Sequence, residues 1–478
     1  MKSYPQHYID GRWVDSQGGR KHQVIDPSTE AVASEIVLGT AADVDTAVIA
    51  ARRAFETFSQ TSKEERIALL ERVIAEYQKR VPDIAEAIAV EMGCPISIAK
   101  TAQAGSGMGH LGHALQTLKD YTFAEKIGAN TVIREPIGVV ALITPWNWPM
   151  NQIVAKVGPA LAAGCTMILK PSEEAPSSAA IFAEVMDAAG VPPGVFNLVQ
   201  GDGEGVGTAL AQHPDIDMVS FTGSTRAGIM VAKNAAETVK RVAQELGGKS
   251  PNIILEGTPL DVALPGGVGG VLLNSGQSCI APTRMLVHRS QHDEAAQKVG
   301  AMFTAKKVGE PLAEGDHIGP VVNERQWDRI QGLIQKGIDE GATLVAGGTG
   351  RPEGMDHGFY VKPTVFAGVT PDMTIAREEI FGPVLSTIPF ETEAEGIRLA
   401  NETAYGLAAA VYTTNLDAAF RVARALRAGT VGVNAYSEGD ITTPFGGYKE
   451  SGFGGRDKGL EAFEQYTQKK TIWFTLRS

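Results

Sequence analysis

Apolar residues recur at intervals of three and four along the first part of the chain. This spacing places the side chains on one face of a helix. The pattern therefore predicts that Ala41–Met92 is helical. The residues that carry it are Ala47, Val48, Ala51, Ala54 and Phe55, and then Ile67, Leu70, Val73, Ile74 and Tyr77.

From Gly138 the pattern changes to short apolar runs separated by helical stretches. A short run that is apolar throughout is typical of a strand buried on both faces. The alternation predicts a parallel sheet covered by helices on both sides. The predicted strands are Val139–Ile143, Met167–Leu169, Val195–Val199 and Met218–Phe221, and the predicted helices start near Gln152, at Ser177 (ending at Ala189), near Gly205 and near Ala227.

A second α/β block is predicted from about Ser250 to Thr443. The glycines Gly247 and Gly248 and the change of pattern mark its beginning. The tail Gln468–Leu476 resembles a strand and has no local helix to pack against, so we expect it to pair with another subunit. Apolar runs in the second block are Asn252–Leu255, Met285–Val287, Val384–Pro389 and Thr430–Val433.

Composition narrows the class of protein. A chain of 478 residues is long enough for two or three domains. The formal net charge of −12 argues against a nucleic-acid partner. No apolar stretch is long enough to span a bilayer, and the N-terminal segment lacks the apolar core of a signal peptide. We therefore expect no nucleic-acid or membrane partner and a cytoplasmic location.

Cysteine and histidine spacing gives no indication of a metal site. The three cysteines Cys94, Cys165 and Cys279 cannot build a disulfide framework, and none lies in a CxxC or Cys/His metal spacing. His110 and His113 lie three residues apart on a predicted helix. We expect both to be surface histidines and no metal to be bound.

Polar residues follow several of the predicted strands. Asn147 lies in the rigid segment Thr144–Pro149, Lys170 and Glu173 follow the next strand, and Glu245 ends another. Ligands of parallel sheets bind beyond the carboxyl ends of the strands. This placement predicts an active site there.

Cys279 has the surroundings of an accessible thiol. It lies among small and turn-forming residues in Gly276–Arg284, whereas Cys165 lies in an apolar run. An isolated cysteine is more often structural than catalytic. The polar residues at the strand ends are what favour a chemical role for Cys279.

Two glycine-containing segments are candidates for phosphate binding. The run Gly201–Gly207 resembles a dinucleotide fingerprint but departs from GxGxxG at Val206, and a tight turn explains it as well. The segment Phe221–Thr225 follows a predicted strand. Thr222 or Ser224 in it can cap a helix whose N-terminus attracts phosphate.

The motifs that contain these residues resemble those of the aldehyde dehydrogenase superfamily, over essentially the whole chain. In chain order they are Pro145–Asn147, Lys170–Glu173, Phe221–Ser224, Glu245–Pro251, Gly276–Cys279, Glu378–Val384, and Pro444–Gly447 with Ser451 and Gly452. The resemblance implies an α/β fold with a Rossmann-type dinucleotide-binding domain, a second α/β catalytic domain and a small strand-based oligomerisation element. The implied bounds are 1–119 and 137–247 for the dinucleotide-binding domain, to which 447–464 returns, 248–446 for the catalytic domain, and 120–136 with 465–478 for the oligomerisation element.

The resemblance also implies a reaction. Cys279 would attack the aldehyde, and the Asn147 amide with the Cys279 N–H would hold the oxyanion. Hydride transfer to a nicotinamide would leave a thioester on Cys279. Glu245 would then activate the water that releases the acid. The activity implied is that of a hydrolytic NAD(P)-dependent aldehyde dehydrogenase.

Cofactor contacts follow from the same resemblance. Glu379 and Phe381 would hold the nicotinamide ribose and ring, and Asn434 matches an asparagine near the substrate mouth. We expect NAD rather than NADP, because the Glu173 carboxylate suits ribose hydroxyls and repels a 2′-phosphate, although nearby Lys170 leaves NADP open. The remaining expected contacts are Ile143, Thr144, Pro145, Trp146, Lys170, Glu173, Gly203, Gly207, Phe221, Thr222, Gly223, Ser224, Leu246 and Gln326.

Two departures from the family pattern and three alternatives stand beside this hypothesis. Arg226 occupies a position that is often acidic, and Gly454–Arg456 has a longer spacing than usual. A CoA-acylating enzyme is disfavoured by the presence of Glu245. A cysteine–histidine hydrolase is disfavoured because none of the nine histidines lies in a motif at a strand end. A silent dinucleotide-binding protein would not need Asn147, Glu245 and Cys279 together.

The substrate is the least determined feature. We expect pocket walls from Trp148–Ala155, from Ser278 and Ile280, and from the loop Tyr436–Thr443. That loop contains Glu438 and Asp440 and no Lys or Arg. A neutral aldehyde or an aminoaldehyde is favoured over a carboxylate-bearing one, unless both acids are merely solvated or a basic residue elsewhere, such as Arg284, reaches the pocket. The tail and Asp120–Glu135 predict a homodimer or a tetramer.

Overall fold

The structure, a computed structural model, describes residues 2–437 and 440–475. It contains two large sheets, each with helices on both faces, and a small three-stranded sheet. The strands are β1 His7–Ile9, β2 Arg12–Val14, β3 Arg20–Ile25, β4 Val32–Leu38, β5 Ala124–Ile127, β6 Asn130–Pro136, β7 Val139–Ile143, β8 Thr166–Lys170, β9 Phe196–Leu198, β10 Met218–Thr222, β11 Arg241–Glu245, β12 Pro251–Ile254, β13 Arg284–His288, β14 Lys307–Val308, β15 His317–Ile318, β16 Thr343–Ala346, β17 Thr364–Ala367, β18 Val384–Phe390, β19 Ala408–Tyr412, β20 Thr430–Val433, β21 Gly452–Phe453 and β22 Thr467–Ile472.

Helices connect most of these strands. They are α1 Ala41–Phe58, α2 Lys63–Met92, α3 Ile96–Ile98, α4 Ala104–Asp120, α5 Pro149–Ala163, α6 Ser177–Ala188, α7 Thr208–Gln212, α8 Thr225–Ala236, α9 Leu260–Leu272, α10 Arg289–Ala305, α11 Glu324–Asp339, α12 Thr374–Arg377, α13 Glu393–Asn401, α14 Leu416–Ala425 and α15 Gly459–Glu464, with single wider or tighter helical turns at Ala99–Gln103, Gly203–Gly207, Leu273–Gly276 and Lys449–Ser451.

The predicted N-terminal helical region is confirmed as two helices, α1 and α2. They are separated because Ser62 starts α2 with a capping box, in which its hydroxyl accepts from the Glu65 N–H and the Glu65 carboxylate accepts from the Ser62 N–H. Gly93, with φ of 81°, ends α2. Buried Leu70 and Tyr77 belong to the face that packs into the core.

The first sheet has the order β2-β1-β9-β8-β7-β10-β11-β21, and its five strands from β9 to β11 are parallel. The predicted Rossmann-type sheet is therefore confirmed. Ile143 is in register with both Lys170 and Phe221, and Thr222 is in register with Glu245. The polar strand ends accordingly meet at one edge of the sheet.

The second sheet has the order β16-β17-β18-β13-β12-β19-β20. It is parallel except for the outer strand β16. The predicted runs correspond to β12, β13, β18 and β20, whereas β16, β17 and β19 were not predicted. β19 has the sequence AAAVY, in which small alanines give little indication of a strand.

The third sheet has the order β22-β6-β5. β22 pairs with β6 of the same chain, from Thr467 opposite Pro136 to Ile472 opposite Thr131. The tail therefore has a partner strand within its own chain, because the segment before β7 folds back to meet it, while its expected pairing with another subunit stays a prediction. Leu476, the last residue of the predicted tail, lies outside the described residues.

Where the chain is described, none of its helices combines the length and the apolar character needed to cross a membrane.

Candidate active site

Cys279 lies in a turn between the two large sheets. The helical turn Leu273–Gly276 precedes it, and Asn274 and Ser275 in that turn both have left-handed backbone angles. Cys279 is half-buried and lines a cavity, whereas Cys94 and Cys165 are fully buried. The accessibility expected of the Cys279 thiol is thus present.

Gly248 is required for the position of the Cys279 backbone. A Cβ atom at Gly248 would lie 2.2 Å from the Cys279 carbonyl oxygen. Any side chain there would push the cysteine turn away from the end of β11. The glycines after Glu245 therefore allow the first sheet to approach the cysteine turn directly.

Hydrogen bonds fix Asn147 against the same turn. Its side-chain Nδ2 donates to the Gln277 carbonyl at 2.9 Å, and its own carbonyl accepts from Asn274 Nδ2 at 2.8 Å and from Gln103 Nε2 at 3.0 Å. Asn147 is buried. Gln277 lies two residues before Cys279, so the Asn147 amide is held against the turn that contains the cysteine.

Glu245 ends β11 as a buried carboxylate. Among the described residues its Oε2 has no hydrogen-bond partner. Burial raises the pKa of Glu245 well above its usual range, and the Asp457 carboxylate adds to the rise while the Lys156 ammonium opposes it. A carboxyl group whose pKa is raised in this way takes up a proton more readily than an exposed one.

The C-terminal segment encloses Glu245 from the other side. Gly452 pairs with Glu245 across β21 and β11. A Cβ atom at Gly446 would lie 2.6 Å from Glu245 Oε1, so only glycine permits this approach. Lys156 and Asp457 form a buried ion pair at 2.8 Å nearby.

A cavity of about 510 Å³ opens at Cys279. Its size is typical of a small-molecule site. Trp148 closes one wall by donating from Nε1 to Ser278 Oγ at 2.8 Å, and the Tyr436 hydroxyl donates to the Ile280 carbonyl. The residues of the wall are Thr101, Ala102, Gly105, Ser106, Trp148, Asn151, Gln152, Ala155, Gly270, Leu273, Ser278, Cys279, Ile280, Tyr436, Ser437, Phe445, Asp457 and Lys458.

The expected pocket walls are present in part. Asp440 is exposed and accepts two hydrogen bonds from Thr442, and it does not line the cavity; Glu438 lies outside the described residues. Arg284 does not line it either, because its guanidinium is buried on the carbonyls of Lys249, Leu399 and Ala400. Asn434 accepts from the Thr413 N–H at the end of β20.

Asp457 and Lys458 are the charged residues of the cavity wall, and the sequence analysis predicted neither of them. Both come from the segment before α15, far along the chain from the cysteine motif. The only nearby feature of the sequence that pointed to this segment was the longer spacing at Gly454–Arg456. Asp457 and Phe445 form a two-residue bridge that holds this segment at the cavity.

The carboxyl edge of the first sheet fits a dinucleotide. Thr144 follows β7 and Thr222 ends β10; both hydroxyls are buried and, in the part of the chain described, lack a hydrogen-bond partner. Ser224, not Thr222, caps α8 by accepting from the Ala227 N–H at 3.3 Å. Unsatisfied polar groups beside a helix N-terminus are suited to a phosphate-containing ligand.

Lys170 and Glu173 lie at the same edge. The buried Lys170 ammonium donates to the Pro171 carbonyl at 2.7 Å and to Glu173 Oε2 at 3.4 Å. The turn Gly203–Gly207 is capped by Asp202, whose carboxylate accepts from the Gly205 N–H at 2.7 Å. At Gly203 a Cβ atom would meet nothing within 4 Å, so this turn is open on its outer side.

The second sheet contributes the other expected cofactor residues. Glu379 Oε1 accepts from the Gly248 N–H at 2.9 Å, and burial raises the pKa of Glu379 to about 7. Phe381 and Trp146 meet edge to face at 5.5 Å. Gln326, another expected contact, lies in the first turn of α11. The neighbouring residue Arg325 lies 3.5 Å from Glu174 Oε1.

Of the remaining expected contacts, Ile143 and Phe221 are buried in the sheet, Leu246 is buried after β11, and Pro145, Gly207 and Gly223 lie in the turns that follow the strands.

The two histidines of α4 differ. The expectation that both lie on the surface is wrong for His110, which is buried. Burial, together with the nearby Lys458 ammonium, lowers the pKa of His110 to about 3, so its imidazole is neutral. Within residues 2–437 and 440–475, no group of three or more His, Cys, Asp or Glu side chains is arranged to hold a metal ion.

Comparison with known proteins agrees with this architecture. The aldehyde dehydrogenase family matches residues 13–472, and the chain belongs to that family. It is 51% identical to a 3-succinoylsemialdehyde-pyridine dehydrogenase from a Pseudomonas species, over 99% of each chain. The family predicted from the motifs is therefore confirmed.

Solved structures show the same fold. An aldehyde dehydrogenase from Bartonella henselae superimposes with a TM-score of 0.97 at 48% identity, covering 99% of this chain and 100% of that one. A cysteine-to-alanine variant of aldehyde dehydrogenase C from Pseudomonas syringae, in complex with NAD+ and octanal, superimposes with a TM-score of 0.97 at 49% identity, covering 98% and 96%. The predicted fold class is confirmed.

Proposed function

We propose that the chain is an NAD-dependent aldehyde dehydrogenase that converts an aldehyde to its carboxylic acid. The observation that carries the proposal is that two elements approach the Cys279 turn: Asn147, through its side-chain amide, and Gly248, three residues after Glu245, which lies against the Cys279 carbonyl. The Asn147 amide binds the turn that precedes Cys279. Glu245 lies against Gly446, next to the cavity residue Phe445.

In the proposed reaction the Cys279 sulfur attacks the carbonyl carbon of the aldehyde, and the Asn147 amide and the Cys279 N–H stabilise the negative oxygen. NAD, when bound, supplies the hydride acceptor. A thioester on Cys279 results. Glu245 then removes a proton from water, the hydroxide oxygen attacks the thioester carbon, and the thiolate leaves as the acid is released.

Hydrolysis is favoured over transfer to CoA by the state of Glu245. A carboxylate that is buried and has a raised pKa can accept a proton from water, whereas acyl transfer to a thiol has no need of it. Adding CoA to a steady-state assay discriminates the two: we expect free acid and no acyl-CoA.

NAD would be held at the carboxyl edge of the first sheet. The α8 N-terminus and the orphan hydroxyls of Thr144 and Thr222 suit phosphates. The Glu173 carboxylate suits ribose hydroxyls. Glu379 and Phe381 lie on the other side of the cleft and would contact the nicotinamide end.

We also propose the domain division expected from the sequence. The strands of the first sheet come from residues 7–14, 139–245 and 452–453, and those of the second come from residues 251–288 and 343–433. The exposed edges of the β22-β6-β5 sheet would join a second copy of the chain, giving a dimer or tetramer. A catalytic thiolate requires a reducing compartment, which supports the cytoplasm.

The cavity wall favours aldehydes with an apolar body. The wall includes Trp148, Leu273, Ile280 and Phe445 together with small residues. The Pseudomonas syringae relative was solved with octanal, and the Pseudomonas relative is named for a pyridine semialdehyde. Both are longer than acetaldehyde, which supports a substrate of medium length.

An initial-rate screen with NAD and aldehydes of increasing length tests the proposal. We expect NADH formation with octanal and none from Cys279→Ala. Cys94→Ala, which changes a buried cysteine away from the cavity, is the matched control and should retain activity. Undiminished NADH formation by Cys279→Ala would overturn the proposed mechanism.

A further inference from the structure

We propose that Asn274 is a positioning residue for the oxyanion hole: its side chain holds both the backbone of Asn147 and the carbonyl to which the Asn147 amide donates. This inference rests on the proposed function, in which that amide stabilises the oxyanion, and adds a residue to it. Its basis is one buried amide that joins the turn before Cys279 to the segment after β7.

The contacts of Asn274 come first. It follows α9 and is buried. Its Nδ2 donates to the Asn147 carbonyl at 2.8 Å and to the Gln277 carbonyl at 3.3 Å. The Gln277 carbonyl also accepts from Asn147 Nδ2 at 2.9 Å. The three residues therefore form a closed set of hydrogen bonds around the Asn147 amide.

The chemistry of an amide explains why this set matters. A side-chain amide has two N–H groups. Asn147 donates one of them to the Gln277 carbonyl, which fixes the direction of the amide. The proposed reaction assigns the other to the oxyanion. A donor that is already oriented when the negative charge develops stabilises that charge without reorganisation. Asn274 thus acts on the reaction through Asn147.

The backbone at Asn274 is the second observation. Asn274, Ser275 and Gly276 have φ of 56°, 56° and 76°, so three consecutive residues are left-handed. Glycine adopts this conformation readily, and asparagine does so more often than most other residues. A left-handed residue that is not glycine persists where the surrounding contacts determine its conformation.

Contacts with the segment after β15 hold this turn in place. Ser275 Oγ donates to the Gly319 carbonyl at 2.8 Å, and the Val322 N–H donates to Gln277 Oε1 at 2.9 Å. Gln277 Nε2 donates to the Asn274 carbonyl at 3.2 Å. The turn is thereby attached to a different part of the chain from Asn147. The Asn274 side chain connects the two.

The oxygen of the Asn274 amide supports this role. Oδ1 is buried and, in the described part of the chain, has no hydrogen-bond partner. A buried acceptor without a partner costs free energy. The two bonds that Nδ2 donates are therefore what the amide contributes at this position. An aspartate of the same shape would instead place an oxygen against two carbonyl oxygens.

A double-variant comparison tests the proposal. The rate of the first NADH turnover with octanal is measured by stopped flow for the wild-type chain, Asn274→Gly, Asn147→Ala and the chain with both changes. Glycine preserves the left-handed backbone. We expect Asn274→Gly to slow the first turnover about 10-fold alone and less than about 2-fold beside Asn147→Ala, because its effect passes through that amide. Equal factors in the two backgrounds would overturn the proposal.

Two further variants sharpen the comparison. Asn274→Asp should slow the first turnover more than Asn274→Gly, since it repels the two carbonyls as well as losing the donors. It also replaces Asn274→Gly in the double-variant comparison if the glycine variant does not fold. Gln103→Ala is the matched control: it removes a donor to the same Asn147 carbonyl but none to Gln277, so we expect a smaller effect than that of Asn274→Gly.

Binding and stability separate positioning from a structural role. The dissociation constant for NAD, measured by fluorescence quenching, should be unchanged in Asn274→Gly, and melting temperature records any loss of stability. A lower melting temperature with a wild-type rate per active site would show that Asn274 is merely structural. An active wild-type chain with equally fast Asn274→Gly and Asn274→Asp would overturn the proposal alone. A wild-type chain that forms no NADH from any aldehyde would overturn the proposed function as well.

Discussion

Lys156 Nζ lies 2.8 Å from Asp457 Oδ2, and both side chains are almost completely buried. Lys156 comes from α5, on the first sheet, and Asp457 comes from the segment before α15. The pair lies close enough to Glu245 for its two charges to act on the pKa of that carboxyl in opposite directions. The pair thus links the packing of the C-terminal segment to the ionisation of Glu245, the proposed general base.

Asp457→Asn should affect both stability and pH dependence. It leaves the Lys156 ammonium buried without its counter-ion, so we expect a loss of about 3–5 kcal/mol in the free energy of unfolding. Removal of a negative charge also lowers the pKa of Glu245, so the acid limb of the deacylation rate should move to lower pH. Denaturant unfolding and a pH profile measure the two effects.

The double variant Lys156→Met/Asp457→Leu is the control for the first effect. It removes both charges and should recover much of the lost stability. Equal stability of Asp457→Asn and the wild-type chain would contradict the buried ion pair.

Glu245→Gln should separate the two halves of the reaction. Hydride transfer precedes hydrolysis, so we expect a rapid burst of NADH followed by slow turnover. Because burial raises the pKa of Glu245, the wild-type deacylation rate should rise with pH as the carboxyl loses its proton, and this rise should be absent from the variant. Stopped-flow absorbance of NADH at a series of pH values above the usual titration range of a carboxyl group records both. A burst that disappears together with the steady state would instead place Glu245 in the activation of Cys279.

Asn147→Ala should slow the chemical step. The Asn147 amide is one of two proposed donors to the oxyanion, and loss of such a donor lowers kcat by about 100-fold or more. Binding of NAD should change little, which can be measured by fluorescence quenching. Gln103→Ala, which removes only a donor to the Asn147 backbone carbonyl, should have a smaller effect. A larger loss in Gln103→Ala would place the importance of Asn147 in its backbone position.

Glu173→Gln should weaken the preference for NAD over NADP. The Glu173 carboxylate lies 3.4 Å from the Lys170 ammonium, and the neutral amide would leave that cation to attract a 2′-phosphate. We expect the ratio of kcat/KM for NADP to that for NAD to rise about 10-fold, an effect of one charge–charge contact. An unchanged ratio would show that the adenosine ribose lies away from Glu173.

Light scattering of the purified chain should give the mass of two or four copies. β5 is exposed along its whole length, and β22 is exposed at all but its first and last residues. Both are outer strands of a three-stranded sheet, so their unpaired backbone groups are available to another copy of the chain. A fully active monomer would contradict the role proposed for these strands.

The sequence was sufficient to predict the residues that end parallel strands. Asn147 and Lys170 each follow or end an apolar run, Glu245 ends the mixed strand β11, and parallel pairing brings such residues to one edge whatever lies between them. The proposed nucleophile Cys279 required the family motif, because a turn of small residues does not by itself identify a catalytic cysteine. The strand-end residues needed only local pattern and topology.

The far wall of the cavity was not predictable in the same way. Asp457 and Lys458 reach Cys279 through a bridge to Phe445 and a backbone angle that no local pattern indicates. His110 was expected on the surface because helical spacing does not show which face of a helix a neighbouring helix covers. In the structure α5 packs closely against α4, the helix that contains His110. Long-range packing determined both outcomes.

The pairing of Gly452 with Glu245 has a consequence for the time at which the enzyme becomes active during synthesis. The ribosome makes the chain from its N-terminus, so Cys279 and Glu245 emerge well before the residues that enclose them. In a nascent chain that ends before β21, the Cys279 thiol is exposed and the first sheet lacks its last strand. Lys156 also lacks its counter-ion Asp457. Cys279 is therefore present for a period before the site around it is assembled. This period ends only when the last part of the chain has been translated.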